Sequence, residues 1–182
     1  MVYIILANGF EEIEALAAVD ILRRGGAETA TAGVGHRNVT GAHAIPVVAD
    51  MIAEDVTPRA GDFVVIPGGI KGVENCEASE AVAKLLKAAD ECGATLCAIC
   101  AGPRALCRLG LLDGVKITCY PGMDGQMAGA VVCGDSTVAT EKRITGRGPG
   151  SAIDFGLAIL RAAKGDDAAD EVATEMHYTK AQ

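Results

Sequence analysis

The sequence has no tryptophan, and three phenylalanines and three tyrosines hold aromatics to 3% of its 182 residues. A core built from it must be aliphatic, filled by Ala, Val, Ile and Leu. Basic charge is also scarce, with 16 Lys and Arg against 24 Asp and Glu and a net charge of −8. No basic cluster is longer than Arg23-Arg24. Such a surface repels nucleic acid and anionic membranes, so neither is an expected partner. No apolar run approaches the roughly 20 residues of a spanning helix. The chain opens Met1-Val-Tyr-Ile-Ile-Leu, with neither a basic leader nor a small-residue cleavage site, which predicts a soluble cytoplasmic protein.

Hydrophobic residues, by contrast, make up 50% of the chain, which excludes general disorder. The length suits a single domain over residues 1–182. Area scaling predicts about 8,000 Å² exposed when folded, against roughly 27,000 Å² unfolded. The seven cysteines are an odd count for a chain expected to be reduced, and most should act as small buried hydrophobes.

Short apolar runs alternate with helical stretches. Strands are predicted at Val2–Ala7, Glu28–Gly33, Phe63–Ile66 and Ala94–Ile99. Helices are predicted at Glu11–Arg24, Ser79–Cys92, Gly102–Leu109, Gly150–Lys164 and Asp166–Glu175. His36–Ala53 reads as irregular or hairpin-like, and Val131–Thr145 as short antiparallel strands. Continuous apolar strands separated by helices imply a three-layer α/β domain with a mostly parallel central sheet. Sites in such sheets lie beyond the carboxyl ends of the strands. Three of these ends stand out: Asn8-Gly9, Pro67-Gly68-Gly69 and Ile99-Cys100.

Ala98-Ile-Cys-Ala-Gly102 has the layout of a nucleophile elbow, in which a strand turns sharply into a helix with small residues two before and two after the nucleophile. The helix start favours a thiolate at Cys100. Cys97-Ala-Ile-Cys100 is also a C-x-x-C pattern, but Cys97 lies within the strand, so its side chain is expected in the core. No second C-x-x-C or histidine pair completes a zinc set, and no metal is expected. On the first helix Glu14 falls in the stripe of Ala17, Ala18 and Ile21, while Glu12 and Arg23 lie on the polar side. A carboxylate in an apolar stripe pairs or keeps its proton, and a protonated Glu14 can serve Cys100 as acid and base. Gly68 and Gly69, having no Cβ, can present N–H groups which with that of Ala101 form an oxyanion hole.

Gly9-Phe-Glu-Glu-Ile-Glu-Ala, Pro67-Gly-Gly69, Ala98-Ile-Cys-Ala-Gly-Pro103 and Arg147-Gly-Pro-Gly150 occur in that order. Together they closely resemble the DJ-1/ThiJ/PfpI superfamily, in its DJ-1/ThiJ branch, over nearly the whole chain. The resemblance implies a flavodoxin-like sandwich and a homodimer, with Glu11–Arg24 and about His43–Ala49 near the interface. It also implies an oxidation-sensitive nucleophile at Cys100, hydrogen-bonded to Glu14, with backbone N–H groups of Gly69 and Ala101 facing the bound oxygen. The activities it implies are cofactor-free glyoxalase or deglycase chemistry on small aldehydes, redox sensing and chaperone-like holding. Ala101 stands where protease-like relatives place histidine, which argues against proteolysis. Tyr120 stands where many members have histidine, and His43 where members often have arginine, making both possible pocket residues.

Overall fold

The computed structural model describes residues 1–179. β1 (Val2–Leu6) leads into α1 (Glu12–Arg24) and β2 (Thr29–Gly33). A hairpin of β3 (Asn38–Thr40) and β4 (Pro46–Val48) follows, then β5 (Met51–Ile52). Next come β6 (Phe63–Ile66), α2 (Ile70–Ala78), α3 (Glu80–Cys92), β7 (Thr95–Ile99) and α4 (Pro103–Cys107). The short β8 (Lys116–Ile117) and β9 (Val131–Val132) precede β10 (Thr137–Ala139), β11 (Arg143–Gly146), α5 (Ala152–Lys164) and α6 (Asp166–Glu175).

The central sheet runs β10-β11-β7-β6-β1-β2-β5. Every neighbouring pair is parallel except β10–β11. β6 and β7 are buried along their whole length, as continuous apolar runs covered on both faces must be. Each Val, Leu or Ile buried there contributes about 1.5–3 kcal/mol. α1 packs on α5 over one face of the sheet, and α2, α3 and α4 pack together over the other. The exposed area is 8174 Å², close to the scaling expectation. No helix among the described residues is long and apolar enough to cross a membrane.

The chain order of the strands reverses at β1, which has β2 on one side and β6 on the other. A crevice opens at such a reversal, beyond the strand ends. The turn into α1 and the Pro67–Gly69 loop meet there, and β7 brings Cys100 in from the next position.

Three sequence expectations need correction. Residues 70–78 form α2, which the pattern missed because Gly72 and Asn75 are weak helix formers. Gly72 is there for packing, since a Cβ would come within 2.7 Å of the Phe10 backbone. Within Val131–Thr145, only β10 and β11 pair antiparallel, whereas β9 pairs parallel with β8 and β11 extends the main sheet. The hairpin-like reading of His36–Ala53 holds for β3 and β4, but β5 joins the edge of the main sheet.

The two helices that leave the crevice are tied to each other. Arg104 on α4 grips the Glu77 carboxylate of α2 through two hydrogen bonds of 2.8 and 3.1 Å. Arg108 reaches the same carboxylate at 2.7 Å from a largely exposed position. Removing one partner of a buried pair strands the other charge, at a cost of about 3–5 kcal/mol, whereas exposed pairs contribute about 0–1 kcal/mol. Glu77→Ala is therefore expected to lower stability by about 3 kcal/mol or more and Arg108→Ala by less than about 1 kcal/mol, measured by urea unfolding. Equal losses would show that the tie is not a buried charge pair.

Candidate active site

β7 ends in a turn that puts Cys100 at φ 63°, in the left-handed region where a side chain is strained by about 1–3 kcal/mol. Three backbone hydrogen bonds hold it there. Cys100 N–H donates to the Gly146 carbonyl (2.9 Å), Tyr120 N–H donates to the Cys100 carbonyl (3.0 Å), and Gly102 N–H closes the turn on Ile99 (2.8 Å). Gly102 has to be small, because a Cβ would come within 2.5 Å of the Ile66 carbonyl oxygen. This is the elbow expected from the small-residue pattern.

Glu14, in the first turn of α1, is 1% exposed. Its Oε2 accepts the Gly68 N–H at 2.7 Å. Its Oε1 is buried without an aligned hydrogen-bond partner among the described residues. The Cys100 side chain is the polar neighbour of this carboxyl. The two groups are close enough to polarise each other but are not aligned as a hydrogen bond in this arrangement. A Cβ on Gly68 would collide with Glu14 Oε2 and lie 2.6 Å from Cys100 Cβ, so a glycine at this position leaves room for the pair.

The three backbone donors proposed from the sequence part ways here. Gly69 and Ala101 direct their N–H groups at the sulfur. Gly68 does not, because its N–H is committed to Glu14, so it holds the acid rather than a bound oxygen. Gly69 has φ 84°, and a Cβ there would come within 2.7 Å of Glu11 N.

Burial raises Glu14 to about 7. Contact with Cys100 and the Gly68 N–H pull it down, and Glu11 adds a smaller upward push. Burial also pushes the Cys100 thiol up, and an ionised Glu14 pushes it further; the N–H groups of Ala101 and Gly69 pull it down. Glu14 near 7 and a thiol pushed up to about 12 leave the proton on sulfur at neutral pH, and when Glu14 is itself protonated its repulsion on the sulfur disappears. Cys76, Cys97, Cys107 and Cys119 are raised by burial with no comparable backbone donors. Cys97 is fully buried in β7.

Tyr120 reaches the elbow through its backbone N–H, while its side chain is substantially exposed. His43 is bonded to Glu12 through both its backbone N–H and ring Nδ1, each at 2.7 Å, and no contact links it to Cys100. Glu12, placed on the polar side of α1 from periodicity, is buried, because the loop before β4 closes over it. The sequence reading also passed over Glu11. It caps α1, with Oε2 accepting the Glu14 N–H at 2.7 Å, and so fixes the turn that carries the acid. An acidic residue just before a helical stripe is the signal that could have found it.

Glutamate in an unfolded chain titrates near 4.5, below the folded value of Glu14. Between about 4.5 and 7 the folded protein keeps a proton that the unfolded chain has lost. The stability this gives is full below about 4.5 and is lost as pH rises through 7. Urea unfolding across pH is expected to show wild type losing stability relative to Glu14→Gln over that window. Parallel curves would mean that Glu14 is ionised throughout.

The sequence model of the DJ-1/PfpI family matches residues 1–162. The chain is 35% identical to the Drosophila melanogaster protein dj-1beta, covering 93% of this chain and 92% of that protein. It is 32% identical to the glutathione-independent glyoxalase DJR-1.2 of Caenorhabditis elegans, covering 86% and 84%. Against two longer Arabidopsis thaliana relatives, DJ-1 homologs B and A, it is 35% and 37% identical but spans only 40% and 45% of their length. Among solved structures, a mutant DJ-1 superfamily protein from Salmonella typhimurium superposes with TM-score 0.91 at 32% identity, covering 98% of both chains. In sequence, in fold and in the order of its motifs, the chain belongs to the DJ-1/PfpI family.

Proposed function

We propose that the protein is a cofactor-independent cysteine enzyme acting on small α-oxoaldehydes or their adducts. One observation carries this reading: a strained cysteine, a buried glutamic acid poised near neutrality and two backbone N–H groups share one crevice. The glyoxalase name of a relative accords with it.

As the Glu14 carboxylate takes the thiol proton, the Cys100 sulfur attacks the aldehyde carbon, and the carbonyl electron pair moves to oxygen, where the N–H groups of Gly69 and Ala101 receive the charge. Glu14 protonates that oxygen to give a hemithioacetal. The Glu14 carboxylate then removes the hydrogen from the carbon bearing sulfur and returns it to the adjacent carbon, while the hemithioacetal hydroxyl proton passes to the neighbouring oxygen, leaving a hydroxyacyl thioester. Water adds to the thioester, the sulfur leaves, and a 2-hydroxy acid departs. No net oxidation occurs, so the sequence of steps requires no redox partner.

The same surroundings support a second reading, a stress protein that responds through oxidation of Cys100. Sulfinic oxygens on Cys100 would accept hydrogen bonds from Gly69, Ala101 and a protonated Glu14. A second copy of the chain is the partner proposed for either role. Ile13 on α1 and Ile45 and Val48 on the hairpin arm are exposed apolar side chains on the surfaces assigned to a dimer.

The first test is lactate formation from methylglyoxal without glutathione or added metal. Wild type is expected to turn over, Cys100→Ala to fall to background, and Glu14→Gln to lose roughly 10²–10⁴-fold. Full activity in Glu14→Gln would overturn the proton-transfer role. A second test is peptide mapping after graded peroxide treatment, in which Cys100 is expected to oxidise before the other six cysteines. Earlier oxidation of Cys133, which is partly exposed, would count against the sensor reading.

A further inference from the structure

On the small β8–β9 ribbon, two thiols that the aldehyde chemistry leaves unused face one cavity. β8 and β9 pair in parallel with Ile117 opposite Val132, and the Cys133 N–H donates to the Ile117 carbonyl at 2.9 Å. Carried one residue further, this register sets Thr118 beside Cys133 and Cys119 one step beyond. Parallel neighbours about 4.8 Å apart, with a rise of about 3.3 Å per residue, put the two Cα atoms roughly 6 Å apart. A disulfide spans about 4.4–6.8 Å between Cα atoms. β8 ends at Ile117, so strand alternation no longer separates the side chains. Both cysteines line a surface cavity of about 410 Å³, with Asp124 and Arg147 in its wall. Burial pushes the Cys119 thiol up, Asp124 adds to this, and Cys107 and Cys133 add smaller pushes, so these sulfurs lie within one another's field. Cys107 belongs to α4, whereas Cys133 shares the ribbon and the cavity with Cys119.

We propose that Cys133 and Cys119 form a second redox centre, separate from Cys100, which hydrogen peroxide closes into an intramolecular disulfide. Cys133 is partly exposed and meets the oxidant first. Its thiol donates to Asp135 Oδ2 at 3.3 Å, and Lys116 Nζ donates to the same oxygen at 2.9 Å. Lys116 thus offsets the carboxylate, and Arg147 in the cavity wall favours the thiolate. The Cys133 sulfur attacks one peroxide oxygen, the O–O bond breaks, and the thiol proton leaves with the departing oxygen as water. The sulfur, now two electrons poorer, is a sulfenic acid. The Cys119 sulfur then displaces the sulfenic hydroxyl. An S–S bond forms, the S–O bond breaks, and the Cys119 proton leaves in a second water. Cys119 is only 4% exposed, which suits a thiol that resolves rather than meets the oxidant. Its contacts, with the Tyr120 carbonyl at 3.6 Å and Asp124 Oδ1 at 3.7 Å, are weak, so the sulfur is able to turn. The Thr118 hydroxyl donates to the Asp135 carbonyl at 2.7 Å and ties the two segments together beside the thiols. This centre uses neither Cys100 nor Glu14 and does not rest on aldehyde turnover.

The test applies graded hydrogen peroxide to the Cys100→Ala variant, so that the elbow thiol cannot exchange with the pair. Free thiols are then alkylated, and the protein is cut with trypsin and a protease that cleaves before aspartate. Peptides 117–123 and 124–134 then carry one cysteine each. They are expected to emerge joined and to separate on reduction with dithiothreitol. Adding Cys119→Ser is expected to abolish the joined pair and to let Cys133 run on to sulfinic acid. Serine changes the side chain little in size, and the joined peptides of the parent provide a readout independent of that variant. Mixing ¹⁴N and ¹⁵N chains before oxidation shows whether the bond lies within one chain, as expected. Sulfinic acid at Cys133 in the parent, with Cys119 still a free thiol, would overturn the proposal. So would a bond from Cys119 to Cys107 in peptide 105–108, or joined peptides of mixed isotope. Both thiols staying reduced at a dose that oxidises Cys100 in wild type would overturn it as well.

Discussion

The crevice depends on a hydrogen bond between a buried carboxylate and a main-chain N–H, from Gly68 to Glu14 at 2.7 Å. It joins the first helix to the end of a central strand across the point where strand order reverses. A carboxylate with so little access to water would ordinarily be expelled or neutralised. Here one aligned donor and a neighbouring sulfur hold it in place, and burial leaves it near neutrality. The same glycine has no room for a side chain, because acid and sulfur occupy that space.

Strain is the other half of the arrangement. Cys100 sits in a backbone region that L residues avoid, and it stays there because its N–H and carbonyl are each bonded to a separate segment. The helices that leave the elbow and the glycine loop are locked to each other by a buried carboxylate–guanidinium pair. Rigidity is thus supplied from outside the crevice, and the chemistry inside does not have to provide it.

Much of this was legible in the residue order. Residues 63–66 and 96–99 are unbroken apolar runs, and the strand-and-helix alternation around them pointed to burial and parallel pairing. The elbow announced itself through Ala98 and Gly102, and Glu14 through its misfit with an apolar stripe. What escaped depends on contacts between distant segments. Glu12 looked solvated because periodicity describes one helix and knows nothing of the loop that covers it. Gly68 and Gly69 looked equivalent, yet one N–H turns to the acid and the other to the sulfur. α2 was missed because Gly72 answers to the Phe10 backbone rather than to helix propensity.

Apart from Glu14, the groups that shape the surroundings of the sulfur belong to the main chain. Ala101 and Gly69 act through N–H groups, and Tyr120 and Gly146 hold the elbow through an N–H and a carbonyl. A backbone donor survives almost any exchange of its side chain. Position 120, whose side chain is substantially exposed, is therefore free to drift in size and polarity while the nucleophile keeps its pose. A lineage built on this plan can try new substrates one side chain at a time without having to reinvent its reactive centre.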